Sequence, residues 1–508
     1  MTIFSFEFLI LLVASFVLFY LVGLLNKTFK RTIVPQWSIL LIASLVFYGF
    51  NNWIYLAFIG GSSLVSYIFA LLCQYKLFNK DENGKTKFKP TKVVEVRKGY
   101  ENLMCAFSII INVSVLVVLK YFNFFSNGVA SLFHFTSFET NFIIPLGISF
   151  YTLSLISYNV DIKRRISEAE LNPLKFLLFV SYFPKVLQGP ISTYDKLKED
   201  GLFNEHRFLD VDYLKSFYRI AIGLIKKIVI ANVLGLYVNS VYLNLDGSFG
   251  INLILTTFLY SIQLYCDFSG FMDIAIGVSG LFGIKLEENF DTPYLSSSIQ
   301  EFWRRWHITL GNWLKKYIYI PLGGNRVSTI RWIINILIVW LVSGLWHGAN
   351  WTFIVWGLMH ALLIIITGLP RQIKKAKQVE KNRSLPIRIV GTILTFLFVN
   401  LSWVFFRASN IQEAFRYIYQ MVQVWVPSSY SIFADPSLSK AHPFLIVSIA
   451  FVAILIYLKF IKLPSKSSVL AFISKYALTI VFISLSIFVF IYLNSIGGGV
   501  SSFIYFDF

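Results

Sequence analysis

Charged residues are scarce in this sequence, at 14% of the chain, whereas apolar residues make up 56%. Soluble domains carry about 25% charged residues, so the chain lacks the polar surface that a soluble protein of this length needs. Apolar runs long enough to cross about 30 Å of hydrocarbon recur along nearly the whole sequence. Backbone groups in lipid must pair within their own segment, which favours helices. The sequence therefore predicts one large helical membrane protein.

Several sequence features of other protein classes are missing. The three cysteines, Cys73, Cys105 and Cys266, are too scattered to form a disulfide framework or a zinc site. The sequence contains no phosphate-binding glycine loop and no serine nucleophile motif. We therefore predict neither a metal nor a nucleotide-cradling loop.

The formal net charge of +19 raises the possibility of nucleic-acid binding, but its distribution excludes that class. Five short loops between apolar runs carry +18 of it: Lys27 to Arg31, Lys76 to Glu101, Asp161 to Arg165, Arg371 to Arg388, and Lys459 to Lys466. Basic loops of this kind mark the cytoplasmic side. They predict a multi-pass protein of the cytoplasmic (inner) cell membrane, surrounded by lipid, with its N-terminus outside. Thr2 to Leu25 is too long and lacks the basic start of a signal peptide, so we interpret it as the first spanning helix.

The predicted fold class is all-α, with roughly eleven to thirteen transmembrane helices of ~20 residues each. Leu171 to Pro190 is broken by prolines and glycine, and predicts a re-entrant or interfacial segment. No internal repeat is visible, which weakens the case for an inverted-repeat transporter. We expect one membrane domain over residues 1–508, with a catalytic core at about 140–370 and peripheral helices at 1–140 and 371–508.

The stretch from Glu301 to Arg326, EFWRRWHITLGNWLKKYIYIPLGGNR, has a helical apolar period. One face carries Phe302, Trp306, Leu310, Trp313 and Tyr317, and the opposite face carries Glu301, Arg304, Arg305, Asn312, Lys315 and Lys316. We predict a helix lying in the inner membrane interface, with His307 at the edge of its apolar face. A plain membrane anchor has the same pattern. The sharp turn that Gly323 and Gly324 indicate favours a functional segment.

The stretch from Ser343 to Trp356, SGLWHGANWTFIVW, interrupts two apolar runs with His347. An ionisable residue at this depth is costly and predicts function. Gly344 and Gly348 predict that the backbone opens beside it. A neutral imidazole can take a proton from a hydroxyl and return it to a leaving group, which suits acyl transfer. The alternative is a histidine satisfied within an outer turn; His360, inside the next run, is predicted to be a packed residue.

The stretch from Tyr265 to Gly277 carries Asp267 and Asp273 around Ser269 and Gly270, at the inner end of a predicted span. Asp267 could cap a following helix. The two carboxylates could instead pair with Arg304 or Arg305 and hold the site in shape.

In these stretches the sequence resembles the membrane-bound O-acyltransferase family, in its bacterial alginate O-acetylation branch. The matching segments are Tyr265, Asp267 to Gly270, Asp273, Glu287 to Leu295, Glu301 to His307, Tyr319 to Arg326, Gly344 to Trp351, Pro145 to Tyr151, Phe183 to Ile191, and Trp403 to Ala408. The resemblance covers most of the chain from about Pro145 to Ala408.

The resemblance implies acyl transfer from a thioester to a hydroxyl, in a central tunnel that holds His347, with His307 at a second polar position. It implies acetyl-CoA as the donor, or an acyl-carrier protein thioester in its place, and no metal. It also implies an extracytoplasmic acetyltransferase partner protein and a polysaccharide acceptor, with an acetyl group brought across the membrane.

We predict that His347 and His307 are catalytic. His347 would act as general base at the acceptor end, whereas His307, towards the cytoplasmic end, would position the donor or stabilise charge with Arg304 and Arg305. The remaining predicted donor-binding or site-shaping residues are Asp267, Asp273, Trp306, Trp346 and Asn350. Three alternatives stay open: D-alanyl transfer to teichoic acid, a transporter of polysaccharide or lipid-linked sugar, and a scaffold for a synthase complex.

Overall fold

A computed structural model describes residues 4–80, 86–92, 98–134, 136–373, 384–460 and 469–495. The described chain is almost entirely helical. The helices are α1 Phe6–Thr28, α2 Gln36–Gly49, α3 Ile54–Gln74, α4 Lys98–Leu116, α5 Phe122–Phe133, α6 Ile148–Lys163, α7 Pro173–Ser181, α8 Tyr194–Glu199, α9 Tyr213–Leu224, α10 Asn232–Leu243, α11 Ile251–Leu281, α12 Ile299–Arg305, α13 Ile308–Leu314, α14 Thr329–His347, α15 Trp351–Ile373, α16 Leu385–Arg407, α17 Ile411–Met421, α18 His442–Phe460 and α19 Val469–Ser495.

Three stretches are π-helical, with wider turns than an α-helix: Val117–Tyr121 joins α4 to α5, Ile225–Ala231 joins α9 to α10, and Lys315–Tyr319 extends α13. Short 3₁₀ turns occur at Phe208–Asp210, Leu245–Gly247, Pro293–Leu295 and Pro436–Ala441. The strands β1 Tyr75–Lys80 and β2 Thr86–Lys92 pair antiparallel within the basic loop that follows α3. This hairpin is the one described departure from the all-α prediction, and the fold class is confirmed.

Nine segments of the described residues are long and apolar enough to cross a membrane. They are Phe6–Thr28, Ile54–Gln74, Gly99–Phe133, Tyr213–Leu243, Thr329–His347, Trp351–Pro370, Leu385–Arg407, Pro436–Ile456 and Tyr476–Ser495. Their surfaces carry exposed apolar side chains, as Leu9, Val13 and Val17 show on α1. Because lipid is as apolar as these side chains, exposing them costs nothing in a bilayer. The prediction of a multi-pass membrane protein is confirmed.

The chain forms two compact units. The first comprises Met1–Tyr213 and Val278–Glu287, and the second comprises Leu214–Gly277 and Glu288–Phe508. The expected division into a core at 140–370 and peripheral helices stays a prediction.

Two predicted segments have a different local structure. Leu171 to Pro190 forms the short helix α7 and then a buried non-helical turn, which agrees with a segment that does not span the membrane. The stretch Tyr265 to Gly277, expected at the inner end of a span, lies inside the 31-residue helix α11. Asp267 therefore does not cap a helix, and that alternative is wrong. Both aspartates are buried within α11, and each carboxylate is paired with a cation.

Candidate functional site

His347 lies at the carboxyl end of α14 and is 4% exposed. Four aromatic side chains surround its imidazole ring, with ring centroids at 5.0 Å for Trp346, 6.4 Å for Phe353, 5.0 Å for Trp356 and 5.2 Å for Phe406. These rings come from α14, α15 and α16. The imidazole is thus enclosed by apolar rings that keep bulk water away from it.

Two glycines let α14 and α15 approach closely enough to build this enclosure. A Cβ atom on Gly344 would lie 2.4 Å from the carbonyl oxygen of Phe353, and one on Gly357 would lie 2.5 Å from that of Trp340. Helix α14 continues unbroken through Gly344 and ends at His347, where Gly348 is extended, so the backbone opens at Gly348 and not at Gly344. Gly344 instead allows close packing of the two helices.

The segment around His307 is folded differently from the predicted interfacial helix. Helix α12 ends at Arg305, and α13 starts at Ile308. Between them His307 adopts a left-handed conformation with φ of 46°, and Trp306 pairs with Phe290 in an isolated antiparallel bridge. The continuous helix from Glu301 is therefore wrong, because this backbone pairing turns the chain inward. Trp306 and His307 are 1% and 2% exposed.

His307 is held by Asn289, whose Oδ1 lies 3.2 Å from the imidazole Nδ1. The ring also packs edge-on against Phe268 of α11, with a centroid distance of 4.8 Å. His307 lies outside the nine candidate spans. Burial lowers the pKa of His307 to about 3, because the charged imidazolium loses its hydration there. His307 is therefore a neutral imidazole near pH 7.

Trp346 contacts both histidines. Its ring centroid lies 5.8 Å from that of His307 and 5.0 Å from that of His347. Trp306 belongs to the same aromatic cluster through Trp403, at 5.1 Å, and Trp403 stacks on Trp356 at 5.9 Å. The structure thus brings together four predicted site residues, Trp306, His307, Trp346 and His347. How deep each histidine lies in the membrane stays a prediction.

The two aspartates of α11 pair with cations from one neighbouring segment, residues 219–227. Asp267 binds Lys227, and both side chains are almost fully buried. Asp273 binds Lys226 at 2.6 Å and Arg219 at 2.5 Å. The cations that hold Asp273 are therefore different from the expected Arg304 and Arg305. Burying an ionised carboxylate is costly unless a cation lies close to it. Helix α11 packs tightly against this segment where Gly223 and Gly270 meet.

The remaining predicted residues surround the buried cluster. Arg304 is exposed, and Arg305 is half-buried and bound to Glu301 at 2.7 Å. Asn350 accepts a hydrogen bond from the backbone N–H of Thr352 and donates one to the carbonyl of Ser409, at 3.0 Å and 2.7 Å. Asn350 thus fixes the turn that follows His347. Donor binding by the two arginines stays a prediction.

Asn289 and Lys227 were missed as site residues. Asn289 lies inside a segment that carries the family resemblance, so that segment was the available signal for it. Lys227 carried no local signal, because its partner Asp267 is 40 residues away in sequence. Among the described residues, no group of three or more His, Cys, Asp or Glu side chains is arranged to hold a metal ion.

Comparison with known proteins adds an independent observation. The model of the membrane-bound O-acyltransferase family matches residues 5–406. A relative named peptidoglycan O-acetyltransferase, from Helicobacter pylori, is 36% identical over 420 residues, covering 77% of this chain and 75% of its own. A protein named "Probable alginate O-acetylase", from Pseudomonas aeruginosa, is 39% identical over 59% of this chain and 57% of its own.

A third relative is named teichoic acid D-alanyltransferase, from Streptococcus thermophilus. It is 28% identical over 55% of this chain and 70% of its own. The family match covers every residue of the buried cluster described above. The chain belongs to the membrane-bound O-acyltransferase family and is, by that membership, an acyltransferase enzyme.

Proposed function

We propose that this protein is an O-acetyltransferase that takes an acetyl group from cytoplasmic acetyl-CoA and delivers it across the membrane for O-acetylation of a cell-surface polysaccharide. The burial of His347 among four aromatic rings, beside a second histidine on the same tryptophan, carries the proposal. The names of the alginate and peptidoglycan relatives favour acetyl as the group and a polysaccharide as the acceptor.

In the proposed reaction, His347 is the general base. Its neutral imidazole removes the proton from an acceptor hydroxyl, whose oxygen attacks the thioester carbonyl. The new C–O bond forms, the C–S bond breaks, and the imidazolium returns the proton to the leaving thiolate. The aromatic enclosure excludes water, which would otherwise hydrolyse the thioester.

His307, Arg304 and Arg305 position the donor in this proposal. The exposed Arg304 and half-buried Arg305 supply cations for the phosphates of coenzyme A. The acceptor hydroxyl of this step belongs to an extracytoplasmic acetyltransferase partner, whose acetyl ester is then attacked by a polymer hydroxyl, so that the partner hydroxyl is restored. The N-terminus lies outside in this arrangement, and the Arg371 to Arg388 loop lies in the cytoplasm of the cell.

The test is His347→Ala, with His360→Ala as the matched control, since both histidines are buried on neighbouring helices. We expect His347→Ala to insert at normal levels and to abolish acetylation of the surface polymer. His360→Ala is expected to retain transfer per inserted molecule. If His347→Ala retains acetylation, the assignment of His347 as the general base is overturned. The scaffold alternative predicts that retained acetylation.

The donor and the transporter alternative need separate measurements. Membrane vesicles containing the protein are given radiolabelled acetyl-CoA or a D-alanyl carrier protein, and label in the acceptor is counted. We expect label from acetyl-CoA alone. A deletion strain should export its polymer without acetyl groups, whereas loss of export would indicate a transporter.

A further inference from the structure

Asn289 is the hydrogen-bonding centre of the turn that carries His307, and it is 1% exposed. Its side-chain oxygen accepts from the backbone N–H of Thr309 at 3.0 Å and from the Thr309 hydroxyl at 3.0 Å. Its backbone oxygen accepts from the N–H of Ile308 at 3.0 Å. Its amide nitrogen donates to the sulfur of Met272 at 3.5 Å. The side-chain oxygen, the side-chain nitrogen and the backbone oxygen of Asn289 thus all form hydrogen bonds, and the two oxygens bind the residues that follow His307.

This network determines which nitrogen of His307 carries the proton. A backbone N–H can only donate, so the side-chain atom of Asn289 that faces Thr309 must be the oxygen. That same oxygen lies 3.2 Å from Nδ1 of His307 and has no hydrogen to give. Nδ1 must therefore be the protonated nitrogen of the neutral ring. It follows that Nε2 carries the lone pair.

Nε2 of His307 is buried and has no hydrogen-bond partner among the described residues. A buried acceptor without a partner costs about 1–3 kcal/mol. The left-handed backbone of His307 costs on the order of another 1–3 kcal/mol. The surrounding backbone pairs hold this conformation, including the bond from the Asp291 N–H to the Arg305 carbonyl at 2.9 Å. The fold keeps Nε2 of His307 as an unpartnered acceptor despite this cost in free energy. Nε2 is therefore available to accept a hydrogen bond from a ligand.

We propose that Asn289 is a positioning residue that holds the neutral His307 ring with its proton on Nδ1, so that Nε2 accepts a hydrogen bond from a bound reactant. The inference rests on the proposed acyl transfer for the identity of that reactant, which is the acyl donor, through an O–H or N–H group of its coenzyme A part. It also decides between the two roles expected for His307. An unprotonated Nε2 cannot donate to a developing oxyanion, so His307 positions a reactant and does not stabilise negative charge.

The elements around His307 carry seven charged or titratable groups that bear on its pH dependence. They are Asp267 and Asp273 on α11, Glu288 and Asp291 beside Asn289, Arg304 and Arg305 on α12, and His347 on α14. Glu288 binds Arg219 at 2.5 Å, and Arg305 binds Glu301. In Asn289→Asp, the new carboxylate would be in direct contact with the His307 ring.

Nuclear magnetic resonance tests the proton position without depending on activity. The protein is labelled with ¹⁵N-histidine in lipid nanodiscs, and the His307 signals are identified by their loss in His307→Gln. We expect the shift of a protonated nitrogen at Nδ1 and of an unprotonated nitrogen at Nε2. In Asn289→Ala the ring should populate both neutral tautomers. The reverse tautomer in the natural protein would overturn the proposal, even if acyl transfer is confirmed.

Kinetics test the role, with Asn289→Ala, Asn289→Asp and Asn400→Ala as the variants. Asn400 is a suitable control because it is buried in the same unit and donates to the Thr257 carbonyl and the Ser261 hydroxyl, at 3.0 Å and 2.7 Å. We expect Asn289→Ala to lower kcat about 10–100-fold, the effect known for losing a partner that orients a metal-binding histidine. Asn400→Ala should lower stability and leave kcat and the pH profile unchanged.

Asn289→Asp retains the acceptor and adds a negative charge, which raises the pKa of His307 by roughly 1–3 units. Its kcat near pH 8 should stay within about threefold of the natural protein, a small change against the expected Ala effect. Activity should be lost as the pH falls through the range of about 6 to 4, where the natural protein shows no such loss from His307. Equal loss in both Asn289 variants with an unchanged pH profile would show that Asn289 is only structural, and would overturn the proposal.

Discussion

At the scale of single residues, three buried histidines differ in what their ring nitrogens contact. Both nitrogens of His360 have partners: Nδ1 accepts from the Trp303 indole at 3.3 Å, and Nε2 lies 3.1 Å from the Ser402 hydroxyl. His307 has a partner at Nδ1 and a lone pair at Nε2. His347 is enclosed by aromatic rings. A histidine whose hydrogen bonds are complete serves packing, as predicted for His360.

His360→Ala should therefore destabilise the protein and leave its chemistry intact. It leaves the Trp303 N–H without its acceptor and creates a cavity, and the lost hydrogen bonding alone costs about 1–3 kcal/mol. Thermal unfolding in detergent measures the loss, and turnover is counted per folded molecule. Unchanged stability combined with lost turnover would instead indicate a catalytic role for His360.

At the scale of elements, the site depends on close contact between α14 and α15. Gly344 and Gly357 face the backbone of the opposite helix at distances that exclude a side chain. The same contact places Trp356 and Phe353 of α15 against His347 at the end of α14. Glycine costs helix stability by roughly 0.5–1 kcal/mol relative to alanine. At these two positions, glycine allows α14 and α15 to approach closely, and this approach fixes the aromatic rings around His347.

Gly357→Ala should separate the two helices, because its Cβ atom would overlap the Trp340 carbonyl. Overpacking of this kind costs about 1–3 kcal/mol, and we expect turnover to fall as the rings around His347 shift. The control is Gly61→Ala on α3, where a Cβ atom would meet nothing within 4 Å. That variant should unfold at the same temperature or higher. Equal unfolding temperatures for both variants would contradict the proposed role of the contact.

At the scale of the whole molecule, the distribution of charge predicts orientation in the membrane. Cysteine labelling can test it, since all three natural cysteines are buried. Glu139→Cys, in the exposed segment after α5, should react with a membrane-impermeant maleimide on intact cells. Arg388→Cys, beside the most basic loop, should react only after the cells are opened. The reverse pattern would place the N-terminus inside.

Sequence patterns predicted most of the elements, because apolar runs in a bilayer have one stable backbone conformation. The first spanning helix, predicted over Thr2 to Leu25, corresponds to α1 with limits that differ by about four residues or fewer. The aromatic and histidine segments that form the site were also identified, since the family resemblance lies in them. The prediction failed at His307, where the apolar period of the sequence continues although the helix is broken. It also failed in α11, where the helix continues through polar residues.

The sequence by itself determined that this protein is a helical, multi-pass acyltransferase with His347 and His307 among its candidate residues, because membrane solubility and the family resemblance both lie in local segments. Only the tertiary structure decided that one indole contacts both imidazoles, that Lys226 and Lys227 hold the aspartates of α11, and that Asn289 fixes the proton of His307. Those contacts form between side chains that are far apart in sequence and meet only when the helices pack. The hydrophobic period of a single segment cannot predict contacts between distant segments.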